Sequence, residues 1–295
     1  MNIQWYPGHM TRTRRRMAES LKQVDAVCEV VDARIPQVSR NPDMDEIAGN
    51  KPRLLVLNRT DLADAEMTKQ WAAFYRRQGY AVLTTDAKSG AGVAKLSATV
   101  RSMLAEKVKM WNEKGQTGRP IKLMVVGIPN VGKSTFINKV LGKKSAKAAD
   151  KPGVTRGQQW FRVESGLELL DTPGILWPKL DDERTGIYLA VTGAVKDDIL
   201  DVETLGCKLM EILYRRAPQS LVSRYKIQLP AEDETFDFLG YELLMRAGRK
   251  RGFLISGGEI DTERMARILL DEFRGGKLGR ITLESPDEYE GDGNG

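Results

Sequence analysis

The residues Gly127-Ile128-Pro129-Asn130-Val131-Gly132-Lys133-Ser134, followed by Thr135, fit the pattern G-x-x-x-x-G-K-[ST]. Glycines at those two positions let a backbone wrap closely enough for its N–H groups to point at phosphate oxygens. A helix opening at Lys133 would add its positive N-terminal end, while Lys133 reaches the β- and γ-phosphates as a charge-neutralising catalytic group and Ser134 ligates magnesium. The bland alternative is an ordinary glycine turn. Against it stands the context, a β-branched run before the turn and a helical pattern after it.

Two downstream pieces complete the phosphate chemistry. Asp171-Thr172-Pro173-Gly174 closes an apolar run containing Leu167, Leu169 and Leu170. That places the Asp171 carboxylate where it can hold magnesium through water, and lets Gly174 offer its N–H to a γ-phosphate. In the polar stretch between, Thr155 of Pro152-Gly153-Val154-Thr155-Arg156 can complete the magnesium shell. Each short match is weak alone; order and spacing make them reinforce one another.

The base is read elsewhere. Asn58-Arg59-Thr60-Asp61 resembles the guanine motif N-K-x-D. A carboxylate there accepts from guanine N1–H and from its exocyclic amine, which adenine lacks, so the wrong base leaves a buried acceptor unpaired. Arg59 stands where lysine is usual, and its planar guanidinium can still lie over a purine. Asp86-Ala87-Lys88 resembles S-A-K, whose alanine N–H meets the guanine carbonyl, with Asp86 in place of serine. By itself, N-R-T-D also reads as a helix N-cap region.

The elements that must position these groups follow from periodicity. Strands are expected at 26–32, 53–58, 81–85 and 121–127, with a hairpin of strands at about 158–164 and 167–171. Helices are expected at 64–78, 92–111 and 133–142, with a linker near 112–120. Strands alternating with helices imply an α/β layer with a doubly wound, mostly parallel sheet. From about residue 180 only helical spacing remains, at 183–195, 202–215, 217–225, 234–248 and 262–274. The expected domains are 1–178, nucleotide-binding with a basic N-terminal arm; 179–285, smaller, all-helical and RNA-binding; and 286–295, a disordered acidic tail. In the helical part, Leu209, Ile212, Leu213, Leu239, Leu243 and Leu244 read as core.

The base-reading residues precede the phosphate loop, whereas in ordinary GTPases they follow it. A doubly wound sheet accommodates this if the old termini are joined and the chain is cut elsewhere, because contacts rather than chain order define the site. Here the chain resembles the circularly permuted GTPases of the YlqF type, the ribosome biogenesis GTPase A family. The resemblance is carried by Trp5-Tyr6-Pro7-Gly8-His9-Met10, Asp32-Ala33-Arg34-Ile35-Pro36, Asn58 to Asp61, Gly127 to Thr135, Pro152 to Thr155 and Asp171 to Gly174. It implies a P-loop GTPase fold, GTP/GDP and Mg2+ as ligands, and a factor that binds a late precursor of the large ribosomal subunit and promotes its maturation. It also implies a C-terminal helical domain on ribosomal RNA and a bacterial cytoplasmic location or an organellar relative.

The glutamine that orients water just after D-x-x-G in Ras-like enzymes is replaced by Ile175. The resemblance points to His9, the only histidine, as its replacement in catalysis; a structural or exposed histidine is the alternative. Asn130 resembles the residue that helps bind K+ in related GTPases, beside a purely conformational reading. The basic residues Arg12, Arg14, Arg15 and Arg16, and Arg246, Arg249, Lys250 and Arg251, suit RNA phosphates, although basic runs are often only solvated faces.

Composition agrees with such a reading without compelling it. A net charge of +6 over 295 residues suits a polyanionic partner. No stretch approaches the roughly 20 apolar residues of a membrane span, and the N-terminus does not read as a secretory signal; a cytoplasmic monomer is the expectation. Cys28 and Cys207 read as buried free thiols. Two cysteines and one histidine do not build the zinc module of the permuted GTPases that act on the small subunit. Two other readings compete: a constitutive RNA-binding protein using GTP/GDP only as a structural ligand, and an ATP-dependent small-molecule kinase, against which Asn58 and Asp61 speak.

Overall fold

In the computed structural model the described residues are 15, 17–142, 159–163, 166–172, 182–195, 201–231, 234 and 236–290. Two compact units emerge, Asp181–Leu283 and Asn2–Leu180 together with Glu284–Gly295.

The larger unit is built on a six-stranded sheet of β1 (Ala26–Asp32), β2 (Arg53–Asn58), β3 (Ala81–Thr84), β4 (Ile121–Val126), β5 (Gln159–Val163) and β6 (Leu167–Asp171). Their spatial order is β3-β2-β1-β4-β6-β5, parallel except for the β5–β6 hairpin. Every residue of β1 is buried, as expected for a central parallel strand covered on both faces. That includes Glu29, whose carboxylate accepts from Arg53 Nη2 at 2.9 Å and from the Asn41 N–H at 2.9 Å. The chain leaves β1 outward to β3 and returns to β4 beside β1. The crevice beyond the carboxyl ends of β1 and β4 is therefore the switch point where doubly wound sheets bind ligands.

Helix α1 spans Asp43–Ala48 and α2 spans Ala65–Arg77, the latter capped by Asp64, which accepts from the Met67 N–H at 2.7 Å. The single helix expected over 92–111 is broken into a 3-10 turn at Val93–Lys95, α3 (Leu96–Met103) and α4 (Ala105–Glu113). Leu104, whose side chain is buried, leaves helical geometry at φ −107°, ψ 20° and separates α3 from α4. Helix α5 (Lys133–Leu141) follows the phosphate loop.

The other unit comprises α6 (Glu183–Val191), α7 (Val202–Arg216), α8 (Pro218–Tyr225), α9 (Leu239–Lys250) and α10 (Thr262–Arg274). Helix α7 packs against α9 and α10. Leu209, Leu213, Leu243 and Leu244 are fully buried there, whereas Ile212 and Leu239, also expected in the core, are half-buried at the edge of the packed faces. A carboxylate hub ties α8 to α10. Buried Glu272 accepts from Arg224 Nε at 3.0 Å, the Tyr225 hydroxyl at 2.9 Å and Arg251 Nη2 at 3.1 Å.

The expected disordered tail is corrected over residues 286–290. The chain re-enters the α/β unit at Glu284 and forms a 3-10 turn at Pro286–Glu288, closed by a capping box between Ser285 and Glu288. Buried Glu284 accepts from the N–H groups of Gln37 at 2.9 Å and Val38 at 3.2 Å and from the Tyr289 hydroxyl at 2.6 Å. Tyr289 packs on Trp71, with ring centroids 5.7 Å apart. An acidic, glycine-rich composition suggested disorder, but one aromatic ring and a satisfied carboxylate suffice to anchor the segment.

Candidate functional site

The phosphate loop connects β4 to α5. Gly132 is the helix N-cap at φ 89°, a left-handed conformation that only glycine adopts without cost. A Cβ there would meet Asn58 Nδ2 at 2.4 Å, so glycine also permits the close approach of the end of β2. Asn130 lies at φ 62°, which favours its conformational reading, since asparagine tolerates the left-handed region better than most residues. Lys133 is 6% exposed and its ammonium pairs with the Asp171 carboxylate at the end of β6. Val131 is buried, Ser134 half-buried and Thr135 exposed on the first turn of α5. The Thr172 hydroxyl donates to the Val125 carbonyl at 2.9 Å, tying the strand carrying Asp171 to the one feeding the loop.

Asn58 joins the two halves of the site. Its Nδ2 donates to the Val131 carbonyl at 2.9 Å, and its Oδ1 accepts from the Thr85 hydroxyl at 3.0 Å and the Ala87 N–H at 3.1 Å. One amide, 1% exposed, thus fastens the 58–61 loop to the phosphate loop and to the 85–88 loop. The Ala87 N–H, expected to face a guanine carbonyl, is here donated to Asn58, so a base would have to share it. Asp86 turns inward on its own loop and accepts from the Lys88 N–H at 2.9 Å. Burial alone would raise its carboxyl, but the Ser89 and Lys88 bonds hold it below the usual range. Lys88 is exposed. Asp61 is half-buried and has no hydrogen-bond partner among the described residues.

Arg59 also takes a left-handed backbone, φ 63°, and its side chain passes beside Gly132. Its Nη1 lies 3.5 Å from Asp32 Oδ2. Thr85, Asp32 and Arg34 complete the surroundings, and the sequence alone does not mark them as site residues. Asp32 and Arg34 belong to the stretch Asp32-Ala33-Arg34-Ile35-Pro36, and Thr85 carries no signal beyond its strand run.

The residues expected to hold magnesium have a chemistry that fits such an ion. The Asp171 carboxylate already faces a cation, the Lys133 ammonium, and the Ser134 hydroxyl next in the chain supplies the oxygen donor that this hard ion prefers.

A family model described as "50S ribosome-binding GTPase" matches residues 122–209. Ribosome biogenesis GTPase A of Bacillus cereus is 45% identical over 291 residues, covering 98% of this chain and 96% of the relative. The chain belongs to the ribosome biogenesis GTPase A family. As a member it is a GTPase that binds guanine nucleotides and acts in ribosome biogenesis. The GDP-bound structure of TM YlqF superposes with a TM-score of 0.66 at 29% identity, covering 92% of this chain and all of that one. GNP-bound YlqF from T. maritima gives a TM-score of 0.62 at 29% identity, covering 94% and 99%.

Several residues expected at the sites of a ribosome biogenesis GTPase A, namely His9, Arg12, Arg14, Arg16, Thr155 and Gly174, lie outside the described residues. Of the other expected RNA-binding residues, Arg15 is exposed and pairs with Glu19 at 3.4 Å. Arg249 and Lys250 are exposed at the end of α9. Arg246, half-buried, and Arg251, exposed, also make contacts within the fold. Arg246 bonds Glu242 at 2.7 Å and the Gln228 carbonyl at 3.0 Å, and Arg251 reaches Glu272 and lies over the Tyr225 ring at 5.4 Å. Among the described residues no helix is long and apolar enough to cross a membrane.

Proposed function

We propose that this GTPase is an assembly factor that binds a late precursor of the large ribosomal subunit and promotes its maturation by hydrolysing GTP. The observation that carries this reading is the Asn58 amide, which makes the base-reading and phosphate-binding loops one site despite their reversed order in the chain. On this reading the motif order is a circular permutation, in which β1 to β3 carry the base side and β4 to β6 the phosphate side of a single sheet. The permutation makes the segment after Asp171-Thr172-Pro173-Gly174 the exit toward the helical unit, so the stretch that senses γ-phosphate is continuous with it.

Within the site, Lys133 neutralises phosphate charge, Ser134, Thr155 and Asp171 hold magnesium, and the Gly174 N–H meets the γ-phosphate. Magnesium, when bound, offsets the negative charge that spreads over the transferred phosphoryl group. His9 orients the attacking water once the N-terminal arm closes on the ribosomal precursor, and Asn130 contributes to K+ binding beside its conformational role. Ribosomal RNA meets the arm through Arg12, Arg14, Arg15 and Arg16, and the helical unit through Arg249, Lys250 and Arg251, the exposed cations of their cluster, with Arg246 beside them. The protein works as a monomer in the cytoplasm.

The test is GTP hydrolysis with and without purified large ribosomal subunits, for the wild type and His9→Ala. The expected result is strong stimulation that His9→Ala abolishes while GTP binding survives. Absence of stimulation removes the partner; a fully active His9→Ala removes the histidine from catalysis.

A further inference from the structure

The turn Asp32-Ala33-Arg34-Ile35-Pro36 has no part in the phosphate or base chemistry given so far. Asp32 stands at the carboxyl end of β1, in register with Asn58 at the end of β2, on the edge where the ligand crevice opens. Arg34 engages both of its carboxylate oxygens. Its main-chain N–H and its Nε each donate to Oδ1 at 3.0 Å, and Nη2 donates to Oδ2 at 2.7 Å. The Asp32 N–H donates to Ser39 Oγ at 2.9 Å, and the Ala33 N–H donates to the Asn58 carbonyl at 2.8 Å. Asp32 is 3% exposed and Arg34 0%, so the carboxylate cannot swing away. Burial would raise its pKa, but Arg34 first and Arg59 after it hold it below the usual carboxylate range.

A buried ion pair of this kind adds little net stability, because desolvation offsets most of the attraction. Its use lies in what it faces, and it faces Arg59. The Arg59 side chain runs from the phosphate loop, where its Nε lies 3.9 Å from a Cβ built on Gly132, to Asp32 Oδ2, 3.5 Å from its Nη1. A guanidinium can engage a carboxylate along one edge and present its flat face to a ring. A lysine ammonium, a point charge on a flexible stem, has no such planar face.

We infer that Asp32 is a positioning residue for nucleotide binding: its carboxylate, locked by Arg34, holds the Arg59 guanidinium across the purine position. This rests on reading Asn58 to Asp61 as the base-binding motif. It accounts for arginine where lysine is usual, since only the forked group reaches both Asp32 and the ring. The face of a guanidinium does not distinguish one purine from another, whereas Asp61 reads the exocyclic amine that guanine has and hypoxanthine lacks.

Calorimetric affinities for GDP and inosine diphosphate on the full chain separate these roles. Arg59→Lys is expected to weaken both ligands by about five- to tenfold, leaving their ratio unchanged. Asp32→Asn should do the same, and the double variant should be no more than about twofold weaker than either single one, because both remove one interaction. Wild-type affinity in Arg59→Lys, or losses that multiply in the double variant, would overturn the proposal, as would a GDP-to-inosine-diphosphate ratio that shifts in either. If Asp32→Asn melts at assay temperature, Arg59→Lys is compared with Arg59→Met: equal weakness supports the inference and full retention by lysine sinks it. Asp61→Asn is the separate control. It should erase the preference for GDP, and a preference that survives it shows that the base-site reading itself is wrong, whatever the Asp32 variants do.

Discussion

The indole Nε1 of Trp71 donates to the main-chain carbonyl of Glu284 at 3.1 Å, across 213 residues of chain. The same Glu284 receives two N–H groups of the 37–38 turn on its side chain, so the returning segment is bound from both its backbone and its carboxylate. Glu284→Gln keeps the shape but loses the charge of those bonds, and should destabilise the α/β unit by about 2 kcal/mol. Trp71, Trp111 and Trp160 lie in this unit, so tryptophan fluorescence in urea follows its unfolding. An unchanged midpoint would show that the strap rests on the surface without holding it.

Asn58→Ala leaves the Val131 carbonyl, the Thr85 hydroxyl and the Ala87 N–H without their shared partner. The expected loss in GDP affinity is about 100-fold, the equivalent of two to three unmade buried hydrogen bonds. Titration with a fluorescent GDP analogue measures it, with circular dichroism confirming that the variant is folded. Near-wild-type affinity would mean that the loops are held together by something else.

The Glu272 hub makes the helical unit sensitive to acid. Burial raises the carboxyl, but Arg224, Tyr225 and Arg251 together pull it from its ordinary value of 4.5 to about 2. A depressed carboxyl contributes stability above its unfolded pKa and loses it as pH falls through the folded value. Glu272→Gln should therefore be less stable than the wild type at pH 7, by about 2 kcal/mol, with the gap closing as pH falls from about 4.5 toward 2. Hydrogen exchange of the α10 amides reads this unit directly. A gap that stays constant with pH would show that the hub acts through packing.

Neither cysteine should behave as a reactive thiol. Burial, with Glu29 beside it, pushes Cys28 up to about 12, and burial followed by Glu203 pushes Cys207 to about 11. The thiolate is the nucleophile, so iodoacetamide at pH 8 should leave Cys28 unmodified in the native protein and modify half-buried Cys207 only slowly. Mass spectrometry after a timed pulse gives the answer, and denaturation should release both. Rapid native labelling of Cys28 would mean that β1 opens.

Much of this protein is legible in short stretches of its sequence. The β-branched runs of β1, β2 and β4, the G-x-x-x-x-G-K-S loop and the Asp64 cap each depend on residues within a few positions of one another. Backbone propensity, periodicity and cap chemistry therefore determine them without reference to the rest of the chain. Other features are tertiary. That Asn58 bonds Val131 and that Asp32 faces Arg59 follow from which loops share one edge of the sheet, and that Arg251 reaches Glu272 follows from how the helices pack. The return of Glu284 to Trp71 is of the same kind, since a composition that promises disorder is overruled by one buried carboxylate and one ring. Such pairings are invisible in sequence because side-chain partners are chosen by proximity in space, and proximity is set only once the sheet order brings distant segments to the same edge.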